Sequence, residues 1–248
     1  MLNRFFRRQK IRIKNLLKLP KFKTVFRWGW KALLLILVMD TGYLIGIWPD
    51  WEIYAKGPIQ QSSFIRHYIS VRYKHPGWPR LHWNPVPIQD IPRYMQRALI
   101  VAEDARFYSH SGIDTEALKE AMEYDLSEGR LVYGGSTISQ QTIKNIFLSP
   151  SRNPLRKWHE FVLTMGMEHH LSKKRILSLY LNIAEFGRGI YGVDAASRYY
   201  WGIPVSEISV NQAIELAATL PAPVRHNPNT HTRFFLKRVK KIGRYISH

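Results

Sequence analysis

Cysteine is absent from all 248 residues, which excludes disulfides, thiol nucleophiles and cysteine-based zinc sites. Acids are scarce: 18 Asp and Glu stand against 37 Lys and Arg, a formal net charge of +19. The scarcity is uneven. Residues 1–31 hold no acid and eleven Lys or Arg, so the first eighth of the chain supplies more than half of the excess. Alternating apolar–polar runs and internal repeats are also missing, which argues for a predominantly helical fold around one core. No HExxH stretch occurs, and the adjacent His169 and His170 cannot face one site on a helix, so a protein-ligated metal is not expected. The Gly134-Gly135 stretch lacks the Lys-Ser/Thr of a nucleotide P-loop.

What is present begins with an anchor. Ala32–Trp48 reads ALLLILVMDTGYLIGIW, short for a membrane span but apolar enough over Leu33–Met39 to offset Asp40. A mid-span acid costs roughly 2.5–3.5 kcal/mol on insertion scales. Trp28, Trp30, Trp48 and Trp51 bracket the segment as interfacial aromatics do. The cations precede it, so the N-terminus is expected in the cytoplasm and everything after about residue 50 outside. The following IGIWPDWEIY is bulky and aromatic rather than a small-residue cleavage site, which favours an uncleaved anchor over a signal peptide. An apolar segment directly after the basic arm argues against nucleic acid as the partner.

Five segments are expected: a basic arm at 1–31, an anchor at 32–48, a juxtamembrane connector at 49–91, a catalytic domain at 92–230 and a basic tail at 231–248. The connector is rich in proline and aromatics and reads as largely irregular. Apolar spacing predicts helices over RYMQRALIVAEDARF, after a capping Asp114, over Thr137–Phe147, Leu155–Leu171, Lys173–Asn182 and Val193–Tyr200, and over Glu207–Leu220 before Pro221 and Pro223. SEGRLVYGGS and Pro150–Pro154 read as loop and turn.

Four constellations carry candidate chemistry. In EDARFYSHSGID, two acids, Glu103 and Asp104, close an apolar helix, where a half-buried carboxylate can serve as general acid or base; Phe107 and His110 follow. In GGSTISQQTIKN, Ser136 and Thr137 open a helix able to hold an anion, and Gln140, Gln141 and Lys144 extend a polar face, with Gln140 and Lys144 four apart. In RKWHE, Arg156 and Glu160 are four apart, so the Arg is expected to hold the carboxylate ionised, and Lys157 adds a second cation. In SKKRILSLYLN, three cations open an amphipathic helix in which Lys173 is the candidate functional group. Taken alone, the first also reads as a solvated helix end and the second as a capped surface helix, while the third reads better as a surface ion pair and the fourth, Lys173 apart, as an amphipathic core helix.

In this order and spacing, the four resemble the motifs of glycosyltransferase family 51, the peptidoglycan glycosyltransferases; ASRYYWG and LAATLPAPVRHNP fit a fifth. The resemblance covers about Pro92 to Pro228. It implies a mainly α, lysozyme-like domain with a smaller lobe touching the membrane surface. It also implies polymerisation of lipid II into β-1,4-linked glycan with inversion and release of undecaprenyl pyrophosphate. SxxK and KTG are absent, so the chain resembles the single-function type without a transpeptidase. By the same resemblance Glu103 and Glu160 are the catalytic acids. Asp104, Phe107, His110, Ser136, Thr137, Gln140, Gln141, Lys144, Arg156, Lys157 and Lys173 fall on substrate-binding positions. No cofactor is required by the sequence, although the resemblance leaves a divalent cation (Mg or Mn) open. Other wall-synthesis proteins are candidate partners. Gln212 stands where relatives usually carry an acid, and Glu215 where an apolar residue is common. A lytic lysozyme-like enzyme would need no cations for a pyrophosphate, and an inactive membrane-tethered scaffold would not need both acids.

Overall fold

The computed structural model describes residues 20–128, 135–150 and 154–246. It divides into two units, residues 1–49 and 50–248. Parts of the basic arm, of the SEGRLVYGGS loop and of the Pro150–Pro154 turn lie outside the described residues.

In the first unit, helix α1 runs Pro20–Gly46. Its apolar part, Thr24–Gly46, spans 23 residues, none of them buried in protein. At about 1.5 Å per residue that reaches across a hydrocarbon core of about 30 Å. The span expected at 32–48 therefore sits inside a longer helix, and Trp48 lies past its end.

The second unit is mainly α, as expected. The segment read as an irregular connector is the exception. It holds α2 (Trp51–Lys56), α3 (Ser63–Arg72) and a two-residue strand β1 (His82–Trp83). Local caps explain the helices: Asp50 accepts from the Glu52 amide and Ser62 from the Ile65 amide. Tertiary burial explains why such short pieces persist, since Trp51, Ile65 and Tyr68 are all buried. The prolines, which suggested irregular structure, lie outside the helices.

The chain continues through α4 (Arg93–Glu103), α5 (Thr115–Glu128), α6 (Ile138–Phe147), α7 (Pro154–His170) and α8 (Lys173–Ile183). Strands β2 (Glu185–Gly187) and β3 (Ile190–Tyr191) then precede α9 (Val193–Trp201), α10 (Val210–Thr219) and α11 (Arg233–Ile246). The sheet order is β1-β3-β2, with β1 parallel and β2 antiparallel to β3. These strands are two or three residues long, too short to show alternation in the sequence. Gly189 turns the hairpin at φ +75°, and a Cβ there would run into the Tyr68 ring.

Two packed groups place the site between them. Helix α4 buries Met95, Ala98 and Leu99 against α10 and α11, which contribute Ala213, Leu216, Phe235 and Ile242. Helix α6 packs on α7 and α8 through Ile138, Ile143, Leu163, Met167, Ile176 and Tyr180. Asn182, fully buried at the end of α8, pins the segment after β1: its side chain accepts from the Val86 amide and donates to the Val86 carbonyl. At the start of α10, Gln212 completes a capping box with Ser209. The amide does there what an acid at that position does, so the departure leaves the helix start intact.

Candidate active site

Glu103 is the last residue of α4, and the helix delivers it to the wall of a cleft of about 910 Å³. Its side chain is only 12% exposed. Burial raises its pKa above the ordinary carboxylate value, and three donors or cations oppose that rise: Gln141, Arg238 and Lys144. Gln141 Nε2 donates to Oε2 at 3.0 Å, and Arg238 Nη2 to Oε1 at 3.1 Å. Gln141 is itself oriented. The Tyr180 hydroxyl, whose burial keeps it protonated, donates to Gln141 Oε1 at 3.1 Å, which turns the amide nitrogen toward Glu103.

Asp104 also lines the cleft, but its carboxylate is engaged by structural partners. Its carboxylate meets His110 Nε2 at 3.0 Å and accepts from the Ile138 amide, the first residue of α6. His110 Nδ1 accepts from the Gly112 amide, so Nε2 carries the proton that is donated to Asp104. Gly112 O accepts from Thr137 Oγ1, and Thr137 and Gln140 form a capping box. The first motif is thereby bonded to the helix start of the second. Asp114 caps α5 by accepting from the Ala117 amide and pairs with Arg106 at 2.8 Å. Burial would raise its pKa, but those partners hold it below the ordinary carboxylate value.

The second acid, Glu160, is buried on α7, and its described ion-pair partner is Lys157. Lys157 Nζ also lies 3.3 Å from Ser136 Oγ in the cleft wall. Lys144 lies between the two acids: burial lowers its pKa, Glu160 and Glu103 favour its charged form, and Arg156 and Lys157 disfavour it. Two carboxylates and three cations thus share one electrostatic neighbourhood.

A family model described as "Transglycosylase" matches residues 78–246, well over half of the chain. The chain belongs to the transglycosylase family. It is 44% identical over 224 residues to a protein of Thiobacillus denitrificans, covering 90% of this chain and 97% of that one. A protein of Nitrosospira multiformis is 36% identical over 222 residues, covering 89% and 96%. One of Marinomonas sp. is 46% identical over 162 residues, covering 65% and 71%. All three bear the name biosynthetic peptidoglycan transglycosylase.

Within this transglycosylase domain the expected site residues divide by location. Glu103, Ser136, Gln141 and, by charge, Lys144, Arg156 and Lys157 cluster at or near the cleft. Thr137 and Gln140 are buried, with their side chains committed to the capping box. Phe107 is fully buried; Lys173 Nζ sits 4.6 Å over its ring and pairs with buried Glu168 at 2.7 Å. Ser139 donates to the same Glu168, so Lys173 is tied into a network joining α6, α7 and α8.

Sequence reasoning did not single out Tyr180 or Arg238 in the hydrogen-bonded set around Glu103, nor Glu168, the partner of Lys173. Tyr180 reads as an apolar position at helical spacing. Arg238 falls in the stretch set apart as a tail, which is helix α11 packed on α4 and α10. The strong amphipathicity of 233–246 is the signal that could have recruited it to the domain.

Asp104, His110 and Asp114 bring three donor atoms within 4.8 Å of one another, which is metal-like spacing. All three side chains already hold protein partners: His110 accepts from the Gly112 amide and donates to Asp104, Asp104 also accepts from the Ile138 amide, and Asp114 accepts from Arg106 and the Ala117 amide. With both His110 nitrogens engaged and the Arg106 guanidinium already beside Asp114, the cluster serves as a structural network rather than a cation site.

Proposed function

We propose that this chain, a peptidoglycan glycosyltransferase of cell-wall synthesis, uses Glu103 as the general base in polymerising lipid II. The carboxylate takes the proton of the acceptor sugar 4-hydroxyl. The hydroxyl oxygen then attacks the anomeric carbon of the growing lipid-linked chain. The bond to undecaprenyl pyrophosphate breaks, and the α-linkage inverts to β-1,4. The supporting observation is a largely buried carboxylate in a cleft wall whose proton affinity is raised by burial but restrained by Gln141, Arg238 and Lys144. Burial makes such a group a better base than an exposed carboxylate, while its partners favour the ionised form that a base requires.

The departing pyrophosphate needs positive charge fixed before the reaction. Lys144, Arg156 and Lys157 supply it, with Ser136 and Gln141 as polar contacts. Glu160 holds Lys157 in place rather than carrying a proton. Asp104, His110, Thr137 and Gln140 position the motif backbone, and Phe107 and Lys173 support it from beneath.

The same reading places the enzyme in the bacterial cytoplasmic membrane as a single-pass protein, with its basic arm inside and its catalytic domain outside. Exposed Leu155, Trp158, Phe161 and Met165 recur at helical spacing along α7 and suit contact with lipid.

Glu103→Gln tests the assignment with labelled lipid II in detergent, the product being read on a gel before and after muramidase digestion. A loss of roughly 10²-fold or more in a folded protein is expected for removal of a general base. Near-normal rate would overturn it.

A further inference from the structure

Helix α11 has two chemically opposite faces. The inner one buries Phe235 and Ile242 and carries Arg238 to Glu103. On the outer one, Arg233, Lys237, Lys240 and Arg244 are all exposed. At 100° per residue these four fall within an arc of about 60°. Among the described residues none of them pairs with a carboxylate. The stretch 233–246 contains no acid at all.

Four unpaired like charges on one face repel one another, a cost in isolation that disappears against a polyanionic surface. The exposed apolar side chains, Phe234, Leu236 and Tyr245, lie at the flanks of the basic arc rather than at its centre. That arrangement suits lying against charged headgroups and does not suit deep insertion.

We propose that the outer face of α11 docks on anionic phospholipid headgroups. Two observations favour lipid over an acidic protein partner. The chain carries an apolar helix able to anchor it in a bilayer, so headgroups are present at high effective concentration. The face is also a row of long-chain cations, none of which lines the cleft beside Glu103. Because the opposite face of the same helix holds Arg238 on Glu103, headgroup binding steadies the helix that supplies this contact.

The absence of cysteine makes the test direct: Lys240→Cys introduces a single labelling site in the full chain. The variant, carrying a polarity-sensitive fluorophore, is placed in nanodiscs of phosphatidylcholine alone or mixed with phosphatidylglycerol. Roughly threefold lower quenching by aqueous iodide is expected in the anionic discs only, and the protection disappears at about 0.5 M salt. Adding Arg233→Glu, Lys237→Glu and Arg244→Glu removes the protection while the melting temperature and the polymerisation rate in detergent are retained. Equal quenching in the two discs overturns the proposal. So does protection that survives charge reversal. Protection that appears only when a membrane extract with its proteins is added assigns the face to a protein partner and also overturns it.

Discussion

Arg238 Nη2 lies 3.1 Å from Glu103 Oε1, across 135 residues of sequence. A cation from the last helix thus sets the proton affinity of an acid on α4. Arg238 and Gln141 both favour the carboxylate form, against a burial effect that favours the acid. Arg238→Ala is therefore expected to raise the pKa of Glu103 further. As a base works only when deprotonated, the acidic limb of the pH profile of kcat/KM moves to higher pH. At pH values below that limb the rate falls roughly 10-fold per pH unit of the move. Arg238→Lys restores part of the shift. A profile that keeps its acidic limb would show that Arg238 does not act through Glu103.

Asp104 holds two groups that have no other described acceptor, the Ile138 amide and the His110 Nε2–H. Asp104→Ala strands both in a buried setting, at about 1–3 kcal/mol each. Chemical denaturation is expected to show a loss of about 2–4 kcal/mol in stability, with hydrogen exchange speeding up first at the start of α6. A loss below the measurement error would mean that water replaces the carboxylate.

Gly112 has φ +92°, and a Cβ there would approach Thr164 Cγ2 at 2.8 Å and Glu168 Cγ at 3.0 Å. Gly112→Ala meets both a left-handed backbone and a buried network, so it is expected to cost well over about 1 kcal/mol. Activity should fall along with stability, because the Gly112 carbonyl holds Thr137 at the start of the second motif. An unchanged melting temperature would contradict this.

Glu185 has its pKa pushed up to about 7, chiefly by burial, against the Gly189 amide and Arg188. A carboxyl with a raised folded pKa contributes stability that is complete below its ordinary value of 4.5 and is lost as the pH rises through about 7. Wild-type protein is therefore expected to lose on the order of 2 kcal/mol between about pH 5 and about pH 8 from this group. Glu185→Gln should flatten that part of the profile. Parallel profiles would remove Glu185 as the cause.

Much of the site was legible in the sequence because its parts are local. Glu103 ends an apolar helix, Thr137 and Gln140 spell a capping box, and Asp114 precedes the helix it caps. Each depends on neighbours within a few residues, so spacing alone carries the information. The connector misled for the opposite reason. Its prolines and aromatics report backbone restriction, whereas its helices persist because Trp51, Ile65 and Tyr68 are buried by distant parts of the chain.

By itself the sequence determined the apolar N-terminal helix and the helical class, since these follow from composition and periodicity, while the four motifs and the two acids stood out only through their resemblance to a family pattern. Only the tertiary structure decided which charges meet. It gave Glu160 to Lys157 as a described partner, put Lys173 on Glu168, and brought Tyr180, Gln141 and Arg238 into one hydrogen-bonded set around Glu103. Electrostatic partnership depends on distance and burial, and both arise from packing between helices far apart in the chain.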